Sequence, residues 1–188
     1  MLGAGMSNTA GRCALSTYVV TRARPGDVRH LAAIELAAAR LLSGSAPESV
    51  LDEITPLSVL SAARANGRLW VALSGDVPVG FAHVELFEPN VAHLEELDVH
   101  PNHGRRGLGR RLVVEVCRWA GARGYAAVTL TTFRDVPWNM PFYARLGFEE
   151  VAEEAITPSL RAVQADETRR GLDWTRRVVM RYRVPSRA

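Results

Sequence analysis

The chain contains no lysine; all 23 of its basic residues are arginine. Arginine stays protonated, so none of these 23 side chains can be tuned into an amine nucleophile or a general base as a lysine can. Reactions through a lysine Schiff base, and phosphate loops built on Gly-Lys-Ser/Thr, are excluded. Cysteine is scarce as well. Cys13 and Cys117 are too few for a disulfide framework, which makes a cytoplasmic setting the expectation. No run of about 18 apolar residues occurs, so no membrane partner is expected. Internal repeats and proline-rich linkers are missing, and residues 1–15 lack the apolar block of a secretory signal.

What is present is a globular composition. Of 188 residues, 47% are hydrophobic and 23% charged, which fits one domain with its own core. That domain is expected over 16–188, behind a disordered Gly-, Ala- and Ser-rich tail over 1–15 in which Met6 is a second candidate start. The formal charge is +3. Twenty acidic residues interleave with the arginines and no aromatic-basic stripe appears, so nucleic acid is not an expected partner.

The hydrophobic pattern predicts a strand at Tyr18–Ala23 and a helix opened by Pro25 and Asp27 and ended at Gly44. A second helical stretch over Pro47–Ala65 should break at Pro56. Strands at Arg68–Leu73 and Val77–Phe87 flank a Gly75-Asp76 turn, a hairpin signal, and another strand covers His93–Val99. Leu108, Leu112, Val116 and Ala120 recur at helical spacing within about 106–123. Then follow a strand at Ala126–Thr132, a short helix around Phe142–Leu146, a strand at Phe148–Glu153, a helix at Pro158–Arg170 and a last strand at Trp174–Val184. A hairpin meander followed by β-α-β units implies an α/β fold with a mixed, partly parallel sheet.

The richest segment is Leu97–Leu112. A strand ends at Val99, a polar loop follows, and Gly104-Arg105-Arg106-Gly107-Leu108-Gly109 leads into an amphipathic helix. A helix N-terminus offers unpaired amides and the positive end of its dipole. Glycines let backbone approach an anion, and arginines add charge, so the turn is built like a phosphate or pyrophosphate cradle. It is not a dinucleotide fingerprint, because the third glycine is replaced by Leu112. His100 and His103 lie nearby, but no further Cys or His cluster would complete a metal site, and none is expected.

Together with Phe142-Tyr143-Ala144-Arg145-Leu146-Gly147-Phe148, this turn resembles the two signatures of the GCN5-related N-acetyltransferase (GNAT) family. The family pattern is Gln/Arg-x-x-Gly-x-Gly/Ala; here Gly104 stands at its first position, with Arg105 next to it. The resemblance implies a GNAT-like mixed central sheet of about 6–7 strands with helices on both faces. It also implies transfer of an acetyl group from acetyl-CoA to a primary amine of a small molecule or peptide, by direct attack in a ternary complex without a metal. A homodimer is a family expectation. A non-catalytic acyl-CoA-binding sensor is the alternative, motivated by Gly104.

The same resemblance assigns roles. Backbone amides from Arg105, Arg106, Gly107, Leu108, Gly109 and Arg110 would hold the CoA pyrophosphate. Leu97 and Val99 would offer main-chain groups to the pantetheine arm, Asn139 would contact the cofactor, and Tyr143 would protonate the departing thiolate. The family splays two central strands at this point. An ammonium must also lose a proton before it attacks, so a general base is needed. Glu95 and Glu96 lie on the adjacent strand, with His93 in reserve. Strict side-chain alternation would turn only one glutamate to the cleft, and Glu95 is favoured. The acidic residues Glu88, Glu95, Glu96 and Asp98 around this strand suggest a cationic acceptor.

Overall fold

Seven strands form one sheet in the order β1-β2-β3-β4-β5-β7-β6. The computed structural model describes residues 18–87 and 90–185; the expected tail over 1–15, Cys13 and Glu88 lie outside them. The strands are β1 (Tyr18–Arg22), β2 (Leu69–Ser74), β3 (Val77–Phe87), β4 (Val91–Val99), β5 (Ala127–Phe133), β6 (Glu149–Glu150) and β7 (Arg177–Arg183). The helices are α1 (Leu31–Ala39), α2 (Glu48–Leu51), α3 (Leu57–Ala65), α4 (Leu108–Arg123), α5 (Met140–Ala144) and α6 (Pro158–Arg169).

Local chemistry sets the boundaries. The β2–β3 hairpin turns at Gly75, whose φ of +60° suits a residue without Cβ. Helix α4 stops at Gly124, at φ +78°, where the Tyr125 N–H closes back onto the Ala120 carbonyl at 3.0 Å. The break expected at Pro56 splits the stretch into α2 and α3, with Pro56 as the N-cap of α3. A residue before proline is steered out of the helical region, so Thr55 keeps an N–H that no helix uses. Several expectations ran long, among them the helix opened at Pro25, which is α-helical only over Leu31–Ala39, between 3-10 turns at Pro25–His30 and Arg40–Leu42. The strand expected over Phe148–Glu153 pairs only at Glu149 and Glu150, and Trp174–Arg176 is a 3-10 turn ahead of β7. Propensity cannot see where a neighbouring strand ends, and pairing decides both limits.

Helices cover both faces. On one, α4 buries Leu108, Leu112, Val113 and Val116 against Val84, Leu94, Val128 and Met180. On the other, Leu31 and Ile34 of α1 and Leu60 of α3 close over Leu69, Val71 and Phe81. Leu112 is fully buried, so its truncation to alanine should cost about 2–5 kcal/mol. Among the described strands only β4 and β5 run parallel, and they pair at just Val91–Ala127, Ala92–Val128 and His93–Thr129. Beyond His93 the two strands part, while the other edge of β5 stays paired with β7 along its whole length. The parting leaves a wedge at the centre of the sheet.

Candidate active site

The wedge is lined by main-chain groups of fixed phase. The His100 N–H donates to the Val79 carbonyl at 2.8 Å. Antiparallel pairs alternate between bonded and non-bonded, so Glu96 and Asp98 share the phase of His100 and bond toward β3. The N–H and C=O of Leu97 and Val99 therefore point the other way, into the wedge. Their side chains pack against the α4-side core.

At the mouth of the wedge stands the N-terminus of α4. Arg111 makes the first i→i−4 bond, to the Gly107 carbonyl at 3.1 Å, so the amides before it have no acceptor within the helix. Its N-cap residue is Gly107, which has no side chain with which to cap this end. The turn is held open by two left-handed residues, Arg105 at φ +58° and Gly107 at +74°. Gly104 has a local reason of its own: a Cβ there would lie 3.1 Å from the Pro101 carbonyl. Of the flanking arginines, Arg106 lies over the Tyr18 ring at 5.6 Å and Arg111 donates to the Tyr18 carbonyl at 3.0 Å. Arg105 and Arg110 are exposed beside the turn. Amides, dipole and charge here suit a pyrophosphate.

The opposite face of β4 is acidic, and a β-bulge makes it so. His83 pairs with Glu96 and Val84 with Leu94, leaving Glu95 as the extra residue. Leu94 and Leu97 both pack toward α4, so Glu95 and Glu96 between them both turn to the other face. The alternation expected from sequence is thus corrected: one unpaired residue resets the phase, and both carboxylates face the same side.

Glu96 and Asp98 are half-buried. Burial holds the Glu96 carboxyl well above the usual range, and the neighbouring charges of Asp98, Glu35 and Glu95 push the same way. Burial and then Glu35 do the same to Asp98. Glu95 is raised by burial and by the charge of Glu167, although its side chain is 39% exposed. Tyr143, on α5, lies in the field of Asp98 and Glu96, and burial with those charges raises its hydroxyl above its ordinary value. Its ring packs edge-on to Phe142 and Phe148 at 5.0 and 5.7 Å. Tyr143, Glu96 and Asp98 are thus brought together.

Two other sequence candidates, and the cysteine of α4, sit differently. His93 is buried, bonded through Nδ1 to Thr129 Oγ1 at 3.0 Å and stacked on Phe87 at 4.5 Å. Burial lowers its pKa to about 3, so it is a neutral strap between β4 and β5. Asn139 is the N-cap residue of α5; its carbonyl accepts from the Phe142 and Tyr143 amides, which fixes the helix that carries Tyr143. Cys117 lies on α4, where burial pushes its thiol up to about 12.

Sequence reasoning missed the residues that approach the acidic face from other elements. Glu35 on α1 is buried, and both its oxygens accept from the freed Thr55 N–H, at 2.9 and 3.0 Å, with Thr55 Oγ1 adding a bond at 2.8 Å. A lone carboxylate in the apolar helix Leu31–Ala39, beside a Thr-Pro break, was the signal available. Glu167 on α6, Arg170 just after it and Arg177 on β7 gave none, because charged residues near a helix end read as solvated.

The sequence matches the family model described as the Acetyltransferase (GNAT) family over residues 35–148. It is 33% identical over 58 residues to a glucosamine 6-phosphate N-acetyltransferase of Trypanosoma brucei brucei, covering 31% of this chain and 37% of that relative, so the match spans little over a third of the relative's length. The fold is similar to that of the PaiA N-acetyltransferase of Thermoplasma acidophilum, solved with coenzyme A. The TM-score is 0.67 at 15% identity, covering 89% of this chain and 99% of that one. It is also similar to the ribosomal-protein-S18-alanine N-acetyltransferase of Escherichia coli, with a TM-score of 0.62 at 17% identity, covering 92% of this chain and 96% of that one.

Proposed function

Because the chain belongs to the GNAT acetyltransferase family, we propose that it transfers the acetyl group of acetyl-CoA to a primary amine of a small molecule or peptide, both substrates being bound together. One observation carries this reading. The wedge between β4 and β5 joins the amide-rich start of α4 to the acidic face of β4, with Tyr143 in the field of Glu96.

Acetyl-CoA supplies an activated acetyl thioester. The α4 amides from Arg105 to Arg110 hold its pyrophosphate. Leu97 and Val99 take the pantetheine amides as an added strand would be taken. Glu96 then accepts the proton that the ammonium must lose. Deprotonating an alkyl ammonium at neutral pH costs about 4–5 kcal/mol, and a desolvated carboxylate of raised pKa is the better base for it. Burial favours Glu96 in this role over the more exposed Glu95. The amine nitrogen forms its bond to the acetyl carbon as the carbon–sulfur bond breaks. Tyr143, kept protonated by burial, gives its proton to the thiolate.

The test is calorimetric titration with acetyl-CoA and CoA, followed by thiol release across an amine panel. Micromolar binding that is lost in Gly107→Val, with release dependent on an amine, is the expected result. Binding without release across the panel would replace this reading with a non-catalytic acyl-CoA-binding one. No binding to either ligand would remove both.

A further inference from the structure

His83 on β3 is 1% exposed, and neither of its ring nitrogens has an aligned hydrogen bond among the described residues. A buried polar group left unpaired costs stability, so its presence calls for a reason. The β3–β4 ladder supplies one. His83 pairs directly with Glu96. The adjoining pair, Ala82 and Leu97, packs toward α4, so His83 and Glu96 both turn to the opposite face. Directly opposed residues on one face hold their Cβ atoms about 4.5–5.5 Å apart. The bulge that turns Glu96 to this face thus sets its carboxyl beside the imidazole.

The far side of the ring is tied to the protein surface. Nε2 lies 3.0 Å from Glu85 Oε1, although not aligned for a hydrogen bond, and Glu85 Oε2 accepts from Arg68 Nη1 at 2.8 Å. A carboxylate so placed favours the tautomer that carries its proton on Nε2, which leaves Nδ1 a bare lone pair. Burial lowers the pKa of the ring, with Glu85 opposing and Arg68 assisting, so His83 is neutral at pH 7. The other charges that act on Glu96 are Asp98 and Glu95 on β4, Glu35 on α1 and Arg170 after α6. Apolar residues of α1 and α3 cover the rest of this side.

We propose that His83 is a positioning residue for the base, its Nδ1 accepting a hydrogen bond from Glu96 once Glu96 has taken the proton of the amine. The proposal rests on the acetyl-transfer reading above, in which Glu96 is that base. An ionised carboxylate and an imidazole lone pair are both acceptors and make no bond, which fits an Nδ1 without a partner. A carboxylic acid donates its O–H to the same lone pair. The proton stays on Glu96, and a bond made only to the protonated form strengthens Glu96 as a base.

The experiment is a ¹³C titration of the Glu96 carboxyl in the full chain, with the signal assigned by its loss in Glu96→Gln. In His83→Leu the midpoint should fall by about one pH unit, the size of one hydrogen bond. A change of packing alone would act the other way, because a more apolar neighbour raises a carboxyl. His83→Asn places an amide oxygen where Nδ1 stood and should restore most of the value. The ¹⁵N spectrum of the native ring should show the proton on Nε2, and it decides the matter if His83→Leu does not fold. A midpoint that is unmoved or raised in folded His83→Leu, or a proton on Nδ1, overturns the proposal. In kinetics, His83→Leu should lower kcat by about tenfold in the native background and leave Glu96→Gln unchanged. Losses that multiply would make His83 merely structural and overturn the proposal as well. A shifted midpoint with no thiol release from any amine keeps the His83–Glu96 bond and removes acetyl transfer. Amine-dependent release whose acid limb is the same in His83→Leu as in the native protein does the reverse.

Discussion

His93 and Thr129 share a 3.0 Å hydrogen bond inside the last paired residues of β4 and β5. The strands part immediately beyond it, so this buried contact sits at the apex of the wedge. Thr129→Val keeps the shape and removes the hydroxyl, leaving a buried ring nitrogen without its partner. Stability should fall by about 1–3 kcal/mol in urea unfolding. Acetyl-CoA affinity should fall with it if the apex sets the width of the wedge.

The same histidine gives a signed pH dependence. Burial lowers its folded pKa to about 3, whereas a histidine in the unfolded chain titrates near 6.5. Between those values the unfolded chain binds the extra proton. The contribution of His93 is therefore fully present above about pH 6.5 and is lost as pH falls toward 3, by up to about 1.4 kcal/mol per pH unit. His93→Gln should flatten that part of the stability–pH curve, measured by denaturant titration at several pH values.

The carboxylates act in the opposite sense. Burial raises Glu96 in the fold, so the folded state holds its proton more tightly than the unfolded chain. That contribution is present at low pH and is lost as pH rises through the raised value. Glu96→Gln should therefore unfold at a higher temperature than the native protein at pH 8, with the gap closing at pH 4. If Glu96 is the base, the same variant should lose kcat by about a hundredfold or more. Glu95→Gln should alter KM more than kcat. A reversal of these two effects would make Glu95 the base.

Tyr143→Phe should lower kcat by about tenfold to a hundredfold and leave acetyl-CoA binding within a factor of a few. The modest size reflects a thiolate that is already a fair leaving group, at the low end of general-acid effects. In the native protein the alkaline limb should carry no tyrosine titration below about pH 10, because burial raises this hydroxyl.

The sequence by itself determined the element order, the glycine turn before α4, the break at Pro56 and the two signatures around Gly107 and Tyr143. These are local matters: side-chain period, a left-handed backbone position and a missing N–H are written within a few residues of where they act. Tertiary structure alone decided that β4 and β5 part after His93, that a bulge turns Glu95 and Glu96 to one face, and that Glu35, Glu167 and Arg177 converge on it. Thr55 shows the division. Its neighbour Pro56 announces a freed amide, but only the packing of α1 supplies Glu35 to receive it. Register and long-range electrostatics depend on which segments meet, and spacing along one chain does not encode that meeting in any single window.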